Sequence, residues 1–125
     1  MNQNTQKLIE KFYEIENCRG TNAKKDILRK YANDETFKQT LGWYFNNLIV
    51  TGLREKKIKN ILKKKGGLDE DEMNDIKTWN LIDLLNYLNE NNTGSDHDAF
   101  VVAYYAGLFD EKTREGIIKI ATKSW

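Results

Sequence analysis

Residues 78–92 read Thr78-Trp79-Asn80-Leu81-Ile82-Asp83-Leu84-Leu85-Asn86-Tyr87-Leu88-Asn89-Glu90-Asn91-Asn92. Leu81, Ile82, Leu84, Leu85 and Leu88 recur at intervals of three and four, which gathers them on one face of a helix; a strand would alternate them. Thr78 stands just before the run and Asn91-Asn92 closes it, so the stretch predicts a core helix. The same spacing recurs in the rest of the chain, and the 125 residues contain no proline. The expected class is all-α.

Working outward, Leu8, Ile9, Phe12 and Ile15 form one stripe that closes at Cys18-Arg19-Gly20, and Ala23, Ile27, Leu28 and Tyr31 form a second. A third runs from Asp34, a suitable N-cap, through Phe37, Leu41, Tyr44, Phe45 and Leu48 toward Gly52, a suitable C-terminal stop. These three stripes suit a compact bundle. Segment 54–65 is rich in lysine and is followed by Gly66-Gly67 and the acidic run Asp69-Glu70-Asp71-Glu72, which reads as a helix end and a solvated loop. Beyond the 78–92 helix, Thr93-Gly94-Ser95 leads into an apolar helix near Phe100 to Leu108. A break over 107–110 precedes a last helix carrying Ile117, Ile118, Ile120 and Ala121. The expected architecture is a compact domain of about six or seven short helices spanning 1–125, with no repeat at a fixed period and no low-complexity linker.

Composition narrows the class of function. Hydrophobic residues make up 39% and aromatics 11%, enough to build a core and to argue against disorder. No apolar run approaches the ~18 residues of a membrane span, and the first residues carry no apolar signal core, so a soluble, cytoplasmic protein with no membrane partner is expected. Cys18 is the single cysteine, which rules out an intrachain disulfide and a cysteine-rich zinc site. The net charge of +1 hides a division: residues 1–65 carry 15 Lys+Arg against 7 Asp+Glu, and residues 66–125 carry 5 against 12. That asymmetry suggests one basic and one acidic face, unless folding interleaves the halves and cancels both fields.

Little in the sequence points to catalysis, metal or cofactor. A phosphate-cradling Gly-x-x-x-x-Gly-Lys-Ser/Thr loop is missing. His97, the only histidine, sits between Asp96 and Asp98, where acids at a helix start complement the helix dipole. The run 69–72 lacks the spaced ligands and central glycine of a calcium loop.

Two helix starts and one lysine cluster carry the functional reading. In Gly20-Thr21-Asn22-Ala23-Lys24-Lys25-Asp26-Ile27-Leu28, glycine permits close backbone approach, Thr21 or Asn22 can cap, and free amides lie beside Lys24 and Lys25. The combination suits a phosphate; an ordinary capped helix with exposed lysines uses the same residues. At Asn92-Thr93-Gly94-Ser95-Asp96-His97-Asp98 a glycine and two hydroxyls again suit a phosphate oxygen, although Asp96 and Asp98 repel one, and Ser95 with Asp98 also fits a simple cap. In 54–65, Arg54, Lys56, Lys57, Lys59, Lys63, Lys64 and Lys65 face the single acid Glu55. Such a series tracks a phosphate backbone or forms a solvated helix surface. With no arginine pair placed to read base edges, binding to duplex would be led by shape and backbone.

The order of these features resembles the N-terminal DNA-binding domain of phage-type ATP-dependent DNA ligases. Segment 14–41, with Gly20-Thr21-Asn22-Ala23-Lys24-Lys25-Asp26-Ile27-Leu28, is similar to that domain's first helix-turn-helix, and Asn80-Leu81-Ile82-Asp83-Leu84-Leu85-Asn86-Tyr87-Leu88 to its central helix. Asn92-Thr93-Gly94-Ser95 and Phe109-Asp110-Glu111-Lys112-Thr113-Arg114-Glu115 resemble its Gly-Ser turn and the acidic-basic start of a later helix. The resemblance implies a helical domain that grips the phosphates and minor groove of nicked duplex, with ligase catalytic domains as further partners. It places Gly20, Thr21, Lys24 and Lys25 on one backbone segment and Thr93, Gly94 and Ser95 on another. Lys56, Lys57, Lys59 and Lys63 are added on charge alone. Asp-Gly occurs nowhere in the chain, so the Lys-x-Asp-Gly adenylation motif is missing, and the chain by itself is expected to be no enzyme. It would be a ligase fragment or a stand-alone relative. A helical protein-interaction module, such as a phage or mobile-element regulator, is the alternative.

Overall fold

The computed structural model describes residues 3–64, 66–91 and 94–125, and every regular element among them is an α-helix. There are eight: α1 Gln3–Glu16, α2 Thr21–Lys30, α3 Glu35–Phe45, α4 Glu55–Lys64, α5 Glu70–Ile76, α6 Leu81–Glu90, α7 Asp96–Gly107 and α8 Glu111–Ala121. The all-α expectation holds, while the count of six or seven does not. The difference lies between residues 46 and 76.

The third stripe does not continue to Gly52. Asp34 caps α3 as expected, its carboxylate accepting from the Phe37 amide at 3.1 Å, but α3 stops at Phe45. Gly52 instead has φ 68° in the segment 46–54 and lies against Gly94, so its glycine serves a close backbone approach. The lysine-rich segment is a complete helix, α4, anchored by the fully buried Ile58. The acidic run is the start of α5. Asp69 accepts from the Glu72 amide at 2.8 Å while Glu72 accepts from the Asp69 amide, a reciprocal capping box that a loop reading of four acids overlooks.

Residues 81–88 bury one side of α6 through Leu81, Leu84, Leu85 and Leu88, and Asn80 and Asp83 cap the helix reciprocally. The innermost helix is α7. Ala99, Val101, Val102, Ala103, Tyr105 and Ala106 are buried around its circumference, as a helix needs when others pack on several sides of it. It contacts α4 most extensively, then α8, α5 and α6. On the other side α8 packs on α1, where Gly116 admits Ile9 so closely that an added Cβ would stand 2.4 Å from the Ile9 Cγ2. A buried hydrogen bond of 3.1 Å between the Thr5 and Tyr105 hydroxyls ties α1 to α7, and the Leu81 amide donates to Thr5 at 3.2 Å. The three N-terminal helices therefore form no separate bundle. α1 packs on α8 and α3 on α6, while α2 lies outside on α1.

Candidate nucleic-acid interface

α2 holds no buried residue; it contacts α1, and Ala23 and Ile27 are its half-buried apolar side chains. Tyr31, at its C-cap, donates to Glu14 at 2.5 Å, and Lys30 pairs with Glu14 at 3.4 Å. The Tyr31 hydroxyl, and after it Lys30, hold the Glu14 carboxyl below its ordinary value. This fastens the C-terminal end of α2 and leaves its start facing outward.

At that start Gly20 itself is the N-cap, with φ 88° and ψ 152°, and no side chain caps the helix. The expectation that Thr21 or Asn22 caps it is therefore corrected: Thr21 already lies inside the first turn. A backbone angle of this kind belongs to glycine, and a Cβ on Gly20 would meet nothing within 4 Å. The first-turn amides thus open toward solvent across a bare backbone. No acid lies in this turn, and Thr21, Lys24 and Lys25 are all exposed. Among the described residues no ion pair engages Lys24 or Lys25. By contrast, α3, α5, α6 and α7 are side-chain capped and carry acids in their first turns.

The α4 lysines divide into two sets. Lys57 pairs with Asp96 at 2.5 Å, and Lys59 pairs with Glu115 at 2.9 Å and more loosely with Glu55 at 3.9 Å. The hydrogen bond from Lys59 to Glu115 holds the ammonium above its ordinary pKa. These two cations fasten α4 to α7 and α8. Lys56, Lys63 and Lys64 share the outward face, exposed and outside every ion pair among the described residues. They are the free part of the cluster.

The start of α7 is mostly occupied by the protein itself. Gly94, with φ 66°, presses on Gly52, where an added Cβ would lie 3.2 Å from the Gly52 carbonyl oxygen. The Ser95 hydroxyl accepts from the Asp98 amide at 3.2 Å, and the buried Asp98 accepts from the Tyr87 hydroxyl at 3.1 Å. Thr93, and with it Asn92 and Lys65, lies outside the described residues. His97 pairs with Glu72 at 2.9 Å, and no group of three or more His, Cys, Asp or Glu suited to a metal ion occurs among the described residues.

The sequence clusters are thus partly brought together. Lys57 meets Asp96 beside Gly94 and Ser95, so the lysine helix and the second helix start adjoin. The α2 start is related to them only through the C-terminal tail: Trp125 lines one groove with Lys24, while the neighbouring Ser124 donates to Glu55, the first residue of α4, at 2.5 Å. That groove was not foreseen from the sequence. Its volume is about 460 Å³, between α1, α2 and α3, and its wall includes Phe45, which the helical stripe assigned to the core. No helix among the described residues is long and apolar enough to cross a membrane. No family model, curated protein or solved structure matches the chain.

Proposed function

We propose that the chain is a non-catalytic module that grips duplex DNA by its phosphate backbone, in the manner of the N-terminal domain of an ATP-dependent DNA ligase. The reading rests on the start of α2, which combines an N-cap free of side chains, an acid-free first turn and two exposed lysines without ion pairs. Amides and ammonium groups so placed give a phosphate both hydrogen bonds and charge. Gly20, Thr21, Lys24 and Lys25 form the principal contact. Lys56, Lys63 and Lys64 extend it along α4, whereas Lys57 and Lys59 contribute by holding α4 in place. Ser95 and Gly94 take a lesser part because capping and packing already use them.

Fluorescence anisotropy with labelled intact and nicked duplex tests this reading. If the five unpaired lysines each meet a phosphate, log affinity falls with log salt at a slope of about −4 to −5, at ~0.9 per contact. Lys24→Ala with Lys25→Ala should reduce the magnitude of that slope by about 2, whereas Lys77→Ala on the exposed end of α5 should leave it unchanged. No binding to either duplex, or binding indifferent to salt, rejects the reading. Equal effects from Lys77 and the Lys24/Lys25 pair reject the assigned site.

A further inference from the structure

Two of the large apolar side chains that the structure leaves exposed line one groove, and two more follow closely in the chain. Phe45 is 70% exposed, Leu48 90%, Val50 63% and Leu28 41%; Phe45 and Leu28 line the groove between α1, α2 and α3, and Leu48 and Val50 follow in the chain leaving α3. Trp125, on the groove's inner wall, is held by several neighbours. Trp125 packs on Phe12 and Tyr13 at ring-centroid distances of 5.6 and 4.8 Å; its carbonyl accepts from the Tyr44 hydroxyl at 2.8 Å, and its indole donates to Glu16 at 2.7 Å. A preformed wall of this kind loses little freedom when something docks on it.

The charges around the groove point to one class of occupant. Lys24 lines the groove, and Lys25 beside it in α2 and Arg19 in the α1–α2 turn are, like Lys24, exposed and engaged by no ion pair among the described residues; Lys123 donates to the carbonyl of Asn46, which follows Phe45, at 2.7 Å. Of the acids nearby, Glu14 is paired with Lys30 and Asp26 with Arg29 at 3.5 Å, which leaves Glu16, on the groove wall and accepting from the neutral Trp125 indole, as the one acid set against these cations. An apolar channel bounded by three helices accepts a further helix through side chains spaced three and four apart.

We infer that this groove is a docking site for an acidic amphipathic helix of a partner protein, seated on Leu28, Phe45 and Trp125 with its carboxylates toward Arg19, Lys24 and Lys25. The site is distinct from the phosphate grip in its apolar part and shares with it only the rim lysines. Docked helix and bound duplex therefore compete for Lys24 and Lys25.

The test is selection of helical peptides from a displayed random library on the full chain, followed by anisotropy with the enriched peptides. The expected result is enrichment of acidic peptides with apolar residues at three- and four-residue spacing, whose affinity falls at least about tenfold with Phe45→Ala or Leu28→Ala. Both side chains are substantially exposed, so the variants should fold, and their thermal melts check this. Duplex binding measured on the same variants should be unchanged, which separates failure of this inference from failure of the DNA reading. The inference is overturned by enrichment of basic peptides or none, by affinity indifferent to Phe45 and Leu28, or by sedimentation showing a dimer that Phe45→Ala abolishes, which would make a second copy the occupant.

Discussion

At the scale of single residues, close packing at a helix crossing fixes what cannot change. Gly116 lies in α8 where α1 crosses it, and a methyl group there meets the Ile9 Cγ2 at 2.4 Å and the Trp125 ring at 3.3 Å. Ile9 is buried and β-branched, so it has little room to give. Gly116→Ala should therefore destabilise the fold by about 1–3 kcal/mol despite alanine's better helix propensity, as a shift in the urea midpoint will show. Tyr105 gives a second residue-scale outcome. Burial pushes its pKa up to about 12 from 10.0, so an unfolded chain ionises the phenol first. The associated stability is present below pH 10 and is lost as pH rises from about 10 toward 12. Tyr105→Phe should flatten that part of the pH–stability curve, while costing about 1 kcal/mol at neutral pH through the lost Thr5 hydrogen bond. Residues of this kind were unequally legible in the sequence. Asp34 and Ser95 announce themselves as caps because their type and position before a helix state the bond they make. Gly116 does not, since a glycine inside a helical stripe carries no mark of what approaches it from the far end of the chain, here Ile9.

At the scale of elements, helices with strong stripes and caps were legible and those whose role depends on their neighbours were not. α6 follows from its leucines, and α3 begins where Asp34 places it. The end of α3 was misplaced because Leu48 continues an apolar period that the chain does not bury. α5 was missed because four acids look solvated until Asp69 and Glu72 are recognised as reciprocal caps. Two outcomes belong here. Lys11 donates to Asp34, and together with the Phe37 amide it holds this carboxyl below its ordinary value of 3.8. The stability so gained is complete above that value and is lost as pH falls through the lower folded pKa. Asp34→Asn, which keeps a capping oxygen and removes the charge, should lessen the acid sensitivity seen in thermal melts between pH 7 and 3. α2, with no buried residue, should exchange its amide hydrogens faster than α7 by a wide margin under native conditions. Equal protection would mean that α2 is held by more than Tyr31, Glu14 and its half-buried face.

At the scale of the whole molecule, the division of charge along the chain survives folding only in part. α4 belongs to the basic half by sequence but packs on α7 and α8 of the acidic half. Lys57 and Lys59 are accordingly spent on Asp96 and Glu115, and the interleaving that the sequence left open occurs there. The lysines of the α2 start and of the outer face of α4 are among the cations that stay outside ion pairs among the described residues, and the tail runs between the two regions, with Trp125 in the groove and Ser124 at Glu55. The helix starts were legible as backbone-rich, phosphate-suited sequences. Their inequality was not, because the contact of Gly94 with Gly52 and the burial of Asp98 are tertiary facts.

The measurement closest to the central claim is an NMR titration of the isotope-labelled chain with short duplex DNA. The account predicts that the amide signals of Gly20, Thr21, Asn22 and Ala23 move most, with those of Lys24 and Lys25, and that the Gly94 amide moves less. If the α2 start stays unmoved at saturating duplex while signals elsewhere shift, the phosphate grip assigned to it is contradicted.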